Sequence, residues 1–345
     1  MKRRLRQAVH CAPALALAAL AGCTAILGIP SDLERGGADS GLDSPSSIDG
    51  GGDQLVPGDA RVDGDAAIDN NVPPPLCDPT KEFAAPVVIA SVSTPQDEGS
   101  PRLSDDELTM YFDGQRNLDP LFDLYVTKRA KVTDPWGPFA SLGSGVNTPN
   151  NYEFAPNVTT DGRTIFFERQ DPASANDDFY VATRADTSST FGAATPVPEV
   201  NTPLYDGKLC VRGDGSELFF VKQGDQTSLD IWVAKLIGGH YVTTRLNVVN
   251  STFDEYAPII SPNGLVLYFS STRPFAAGRT DENIWVATRA KTTDDFGLPT
   301  QVLNVNSPQS DEPAWVSNDG CRLYMISDRP GGPGRQDIYL ATRPK

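Results

Sequence analysis

The chain has 345 residues, with 45 Asp and Glu against 29 Lys and Arg, a formal net charge of −16. That balance argues against nucleic acid and against anionic lipid headgroups as partners. It favours solubility, and cationic partners or metal ions.

The first predicted element is a leader over residues 1–22. Met1-Lys2-Arg3-Arg4-Leu5-Arg6 is a basic start, and an Ala/Leu-rich run follows from Cys11 to Ala21. About ten apolar residues are too few to span a bilayer as a helix. The run ends in Leu20-Ala21-Gly22-Cys23, which resembles the lipobox of bacterial lipoproteins. The resemblance implies cleavage before Cys23 and acylation of its thiol. Each buried acyl CH₂ then contributes roughly 0.8 kcal/mol of membrane affinity. Thr24 in the next position implies an outer-membrane destination, so the expected address is the cell envelope, facing either the periplasm or the cell surface. Removing the leader takes away four basic residues and leaves 25 basic against 45 acidic, a mature charge of −20. The lipid alone is expected to hold the protein at the membrane.

Residues 23–76 read as a lipidated Cys followed by an acidic tether. Ten acidic residues face only Arg35 and Arg61, among Gly, Ser and Pro with no apolar periodicity. Such a segment is expected to be disordered and self-repelling, and to place the folded part roughly 40 Å from the membrane. Asp59, Asp63 and Asp65 do not complete a calcium loop.

From Phe83 onward, within a propeller domain expected over residues 77–345, the chain repeats itself with a period of about 49 to 56 residues. One unit runs Asp254-Glu255-Tyr256-Ala257-Pro258, Ser261-Pro262-Asn263-Gly264, Leu267-Tyr268-Phe269, Asn283-Ile284-Trp285-Val286 and Val305-Asn306-Ser307-Pro308. Four of the five first turns carry Asp-Gly or Asn-Gly, at Gly162, Gly215, Gly264 and Gly320, the signature of a tight hairpin. The next strand carries Tyr111-Phe112, Phe166-Phe167, Phe219-Phe220, Tyr268-Phe269 and Tyr324-Met325. Short aromatic and β-branched runs with no helical stretch, four to a unit, predict propeller blades. The last repeat stops after its third strand. A surplus fourth-strand segment, Phe83 through Pro95, stands at the start. The expected fold is therefore an all-β, five-bladed propeller in which the N-terminal strand completes the last blade and removes the open sheet edges.

The pattern Asp-Glu…Pro…Ser-x-Asp-Gly…Leu-Tyr-Phe…Ser-x-Arg…Asp-Ile-Tyr-Val-Ala resembles the WD40-like PD40 repeats of TolB-type periplasmic propellers. Ser317 through Tyr324 and Ser327 through Gly332 carry it most closely. The resemblance spans residues 83–345 and implies the fold, not a particular partner. The third repeat departs most, with Leu209 for Pro, Lys222 for Arg and Lys235 for the terminal Arg.

Outside the cytosol disulfides persist. Cys77 precedes the N-terminal strand and Cys321 lies in the blade that this strand should complete, so a Cys77–Cys321 bridge is expected to lock the ring, contributing about 2–4 kcal/mol. Cys210 would remain a buried free thiol. His240 is the only histidine of the mature chain, and no triad, nucleophile elbow, P-loop, dinucleotide fingerprint or zinc spacing is present. No catalytic residue is assigned and no cofactor is expected, a cation such as calcium being the exception to weigh.

One constellation remains. A carboxylate opens the first strand of each repeat: Glu98, Glu153, Asp206, Glu255 and Asp311, with Glu312 as the alternative in the last copy. In a propeller that strand is innermost, so the five are candidate channel-mouth binding residues for a cation or a basic peptide; the bland alternative is that backbone N–H groups occupy them. A second set, Arg116, Arg169, Lys222, Arg273 and Arg329, is expected to pair within each blade with Asp123, Asp178, Asp230 and Asp337 of the third strand. The expected function is a monomeric, lipid-anchored binding or scaffold module for a protein or peptide partner. The alternative is a carboxylate-dependent glycan-binding protein or glycoside hydrolase, which calls for acids in unlike surroundings.

Overall fold

Each repeat folds as one antiparallel four-stranded sheet in the computed structural model, which describes residues 77–115, 121–172, 177–197, 199–223, 228–274 and 281–345. The leader, Cys23, the 23–76 tether and Arg116 lie outside the described residues. Blade 1 is β2 (Glu98–Leu103), β3 (Thr109–Gly114), β4 (Asp123–Lys128) and β5 (Ala140–Ser141). Blade 2 is β6 (Tyr152–Val158), β7 (Thr164–Gln170), β8 (Asp177–Thr183) and β9 (Thr195–Pro196). Blade 3 is β10 (Asp206–Val211), β11 (Glu217–Gln223), β12 (Leu229–Ile237) and β13 (His240–Arg245). Blade 4 is β14 (Glu255–Ile260), β15 (Val266–Ser271), β16 (Asn283–Thr288) and β17 (Thr300–Gln301). Blade 5 is β18 (Asp311–Val316), β19 (Arg322–Ser327) and β20 (Asp337–Thr342), and its fourth strand is the N-terminal β1 (Val87–Val88).

Val87 pairs with Leu340 and Val88 with Tyr339, as the surplus segment requires. The inner strands contact one another in sequence, and β18 meets β2, so the five sheets close a ring. The Cys77–Cys321 bridge is present beside that closure, with Cα atoms 5.7 Å apart, and Cys210 is a buried free thiol. Among the described residues there is no helix.

The paired aromatics explain why a blade needs neighbours. Successive strand residues point to opposite faces, so each pair is divided between two interfaces. Phe112 packs with Trp136, Trp315, Tyr324 and Ile326 against blade 5, while Tyr111 packs with Ile165 and Phe167 of blade 2. Phe166 joins Leu209, Leu218 and Phe220 of blade 3, and Phe219 joins the cluster shared with blade 4. Phe112, Phe167, Phe220 and Phe269 are wholly buried. Each such ring contributes roughly 1.5–3 kcal/mol, and a lone sheet would forfeit most of that.

The first turns follow the Asp-Gly and Asn-Gly prediction. Gly162, Gly215, Gly264 and Gly320 sit at φ 70°, 74°, 74° and 68°, and the first blade puts Glu107 in the same conformation at 58°. Inside the ring every innermost strand breaks register once. In four blades this bulge puts a non-glycine residue at positive φ: Ser100, Ala155, Lys208 and Ala257. Proline cannot take that conformation. In the fifth blade Pro313 occupies the corresponding position, and the register shift falls between Pro313 and Trp315.

Candidate functional site

The five first-strand carboxylates are fully buried. Each accepts hydrogen bonds from the hydroxyl or backbone N–H of a Ser or Thr four or five residues earlier in the incoming loop. Glu98 takes both from Thr94, Glu153 both from Thr148 (Oγ1 2.8 Å), and Asp206 both from Thr202 (N 2.6 Å). Glu255 takes both from Ser251, and Asp311 takes the Ser307 N–H at 2.5 Å. Three also hold a guanidinium: Arg169 Nε at 2.9 Å from Glu153, Arg273 Nη2 at 2.8 Å from Glu255, and Arg329 Nη2 at 2.5 Å from Asp311. The same arginines donate to Val146 O, Val249 O and Val305 O. The carboxylates are therefore engaged by the protein's own donors, and they tie each inter-blade loop to its sheet.

The expected partnership of the arginines with third-strand aspartates is corrected by these contacts. Arg169 lies in register between Glu153 and Asp178, and its guanidinium takes Glu153. Asp230 is held instead by Arg245, with both bonds at 2.9 Å. In blade 3 Lys222 reaches no carboxylate among the described residues and lies 4.9 Å from the Trp232 ring. Asp206 thus lacks the guanidinium that Glu153, Glu255 and Asp311 hold, and burial raises its carboxyl to about 6.

Inside the ring, between the starts of the third strands and the inner-strand bulges, lies an asymmetric set of acids. Asp113 accepts the Ala155 N–H at 3.0 Å and Glu168 accepts the Leu209 N–H at 2.6 Å, each caught by an acid of the preceding blade. Lys208 reaches past blade 4 to Glu312, Nζ to Oε2 2.6 Å. Glu282 accepts from Ser310 Oγ. Burial holds the carboxyls of Glu168, Asp177 and Glu282 well above the usual range, with Asp177 adding to the shift of Glu168 and Glu312 to that of Glu282. Lys208 is the one cation in this set among the described residues. No three His, Cys, Asp or Glu of the described residues are arranged to hold a metal ion.

One step further the axis is crossed by Arg102. Its Nε donates to Asn157 Oδ1 at 3.0 Å, Nη2 to Leu209 O at 3.1 Å, and Nη1 to Ala314 O and weakly to Pro101 O. One side chain of blade 1 thereby joins blades 2, 3 and 5. Asn157 donates to Leu209 O at 3.0 Å and accepts the Val211 N–H at 3.1 Å. Beyond this floor opens a depression of about 600 Å³. Its walls are Leu103, Val158, Val211 and Ile260, with Cys210 and Trp315 at the base. Its rim is formed by first turns of blades 1 to 4, where Asp106, Asp161 and Asp214 accept from Ser104, Thr159 and Ser216 within their own turns.

No family model matches the chain, and no curated protein matches it. Solved structures do. A candidate TolB from Agrobacterium tumefaciens aligns at 17% identity and a TM-score of 0.46, over 77% of this chain and 99% of the other. An α-L-arabinofuranosidase from Podospora anserina aligns at 10% identity and 0.48, over 77% and 98%. A glycosyl hydrolase from Bacteroides ovatus aligns at 12% and 0.47, over 77% and 95%. Likenesses this distant bear on neither activity nor partner; the five closed sheets themselves establish the propeller.

The axial residues Arg102, Asn157, Lys208, Glu168 and Asp177 escape a search for repeated features because they are not repeated. Arg102, Asn157 and Cys210 occupy one register position in three blades, four residues after the ring carboxylate. Disagreement at a fixed position among otherwise similar repeats is the signal that finds them.

Proposed function

We propose that this chain is a binding module of the cell envelope, held there by its lipid, that takes a peptide segment of a protein partner into the depression at the first-turn face. One observation carries the reading. The depression draws lining residues from all five blades, combines apolar walls with polar rims, and is closed below by Arg102 and Asn157. A site closed beneath favours docking over passage through the ring. Sites of this size with apolar walls and a few convergent polar groups are where ligands bind. A photoreactive residue at Thr160 on the rim should crosslink a defined partner in solubilised envelope. The same probe at Leu298, 82% exposed on the fourth blade's outer side, should not. Equal labelling from both positions refutes the reading.

A second reading, glycan hydrolysis, is favoured by a different observation. Glu168, Asp177 and Glu282 sit in unlike surroundings and hold their protons toward neutral pH, as a general acid must. Against it, Glu168 and Asp177 are only 3% and 6% exposed, and Glu168 is engaged by the Leu209 N–H. Release of reducing sugar from polysaccharide that disappears in Glu168→Gln would favour the hydrolase over the binding module.

A further inference from the structure

Arg102 is a charged group without an ion-pair partner among the described residues. Among the described residues its guanidinium forms no ion pair, and all four of its hydrogen bonds go to neutral acceptors, three carbonyls and the Asn157 amide. Guanidinium has five N–H donors, so one Nη2 hydrogen is left over. The side chain is partly exposed, and it lines the floor of the depression. Of the groups that act on it, Cys210 is a buried thiol, and Glu168 and Asp113 already hold the backbone N–H groups of Leu209 and Ala155. The rim aspartates are occupied by their own turns. A partly desolvated cation with an unused donor is a fixed anion receptor, because an arriving carboxylate gains a charge-assisted bond that no group of the protein provides.

We propose that the depression receives the free C-terminal carboxylate of a peptide, with Arg102 as its anchor and Leu103, Val211 and Ile260 packing the last side chain. This rests on the peptide-binding reading above and names its ligand. An acidic sugar would bring the same charge, but a sugar ring is held on an open aromatic face. The two rings lining the depression are closed: Tyr111 is 8% exposed with its hydroxyl engaged by Arg184, and Trp315 is 9% exposed against Tyr324. The apolar walls suit a Leu or Val terminus instead.

The test compares N-acetyl-leucine with N-acetyl-leucinamide, titrated into the full chain in detergent, reading the amide resonances of Val211 and Ile260 and the Nε–H of Arg102. The carboxylate should bind about ten-fold more tightly than the amide, in line with one charged hydrogen bond. Arg102→Gln should erase that preference while keeping the amide's affinity, and Arg102→Lys should retain part of it. Arg102 joins four blades, so if Arg102→Gln fails to fold, the acid–amide difference and the Nε–H shift in the unsubstituted chain decide alone. Equal affinities, or a preference surviving in Arg102→Gln, overturn the anchor while leaving peptide binding standing. Glucuronate shifting these resonances more strongly than N-acetyl-leucine would overturn the peptide assignment. Silence of all three signals with every probe, together with no crosslink from Thr160, removes both.

Discussion

Glu107 of the first blade grips Arg322 of the last, with Nη2 at 2.5 Å from Oε1 and Nε at 2.7 Å from Oε2. Glu107 stands where the other four blades have glycine, at φ 58°. A left-handed non-glycine residue costs roughly 1–2 kcal/mol, and here the forked ion pair across the ring closure offsets it. Arg129 adds a third contact, Nε to Glu107 O at 2.8 Å. Glu107→Ala should keep the strain and lose the pair, destabilising by about 3 kcal/mol. Glu107→Gly relieves the strain and should cost visibly less. Urea midpoints of the two variants check this; equal losses would mean that the backbone conformation is irrelevant.

The ring carboxylates should separate by partner. Glu255 holds Ser251, Ser271 and Arg273 and is wholly buried. Glu255→Ala leaves a buried guanidinium without its partner and should cost about 3–5 kcal/mol. Asp206, with no arginine and one unpartnered oxygen, should tolerate Asn at little cost. Thermal melts of both variants decide, and comparable losses would refute the distinction.

Stability should peak on the acidic side of neutral. Burial raises the carboxyls of Asp206 (to about 6), Glu153, Glu168, Asp177, Glu282 and Asp328. Each binds its proton more firmly folded than unfolded, so each loses stability as pH rises through its folded value. The turn aspartates Asp106, Asp161, Asp214 and Asp319 are lowered, and their contribution is lost only as pH falls below the usual carboxylate range. The melting temperature should therefore be higher near pH 5 than at pH 8, and Asp206→Asn should flatten the fall through pH 6. A melting temperature that climbs steadily from 5 to 8 would contradict it.

The disulfide closes a span of 244 residues. Cys77→Ser with Cys321→Ser should cost about 2–5 kcal/mol. Guanidinium titrations with and without reductant measure it. No change on reduction would mean that β1, Glu107 and Arg322 close the ring unaided.

The blade count, the closing strand, the hairpin glycines and the Cys77–Cys321 bridge were legible because each is a repeated or terminal feature with one structural solution. The arginine partners were not. Register sets Arg169 between Glu153 on the first strand and Asp178 on the third, and spacing alone does not report which of the two its guanidinium takes. Nor was Asn306 legible, although the Val-Asn-Ser-Pro run was conspicuous. Its amide accepts the Ile284 N–H at 2.6 Å and donates to Ile284 O, taking the place of a strand residue. Asn147, Asn201 and Asn250 do the same in other blades. The axis was hidden because its residues differ from blade to blade.

Closure by β1 has a consequence for biogenesis. Val87 waits for Leu340, more than 250 positions downstream. A ribosome making this polypeptide must release Leu340 before the circle can shut. Until then blade 5 lacks a wall and blade 1 lacks a neighbour, so the half-made product is the form that chaperones and proteases would meet.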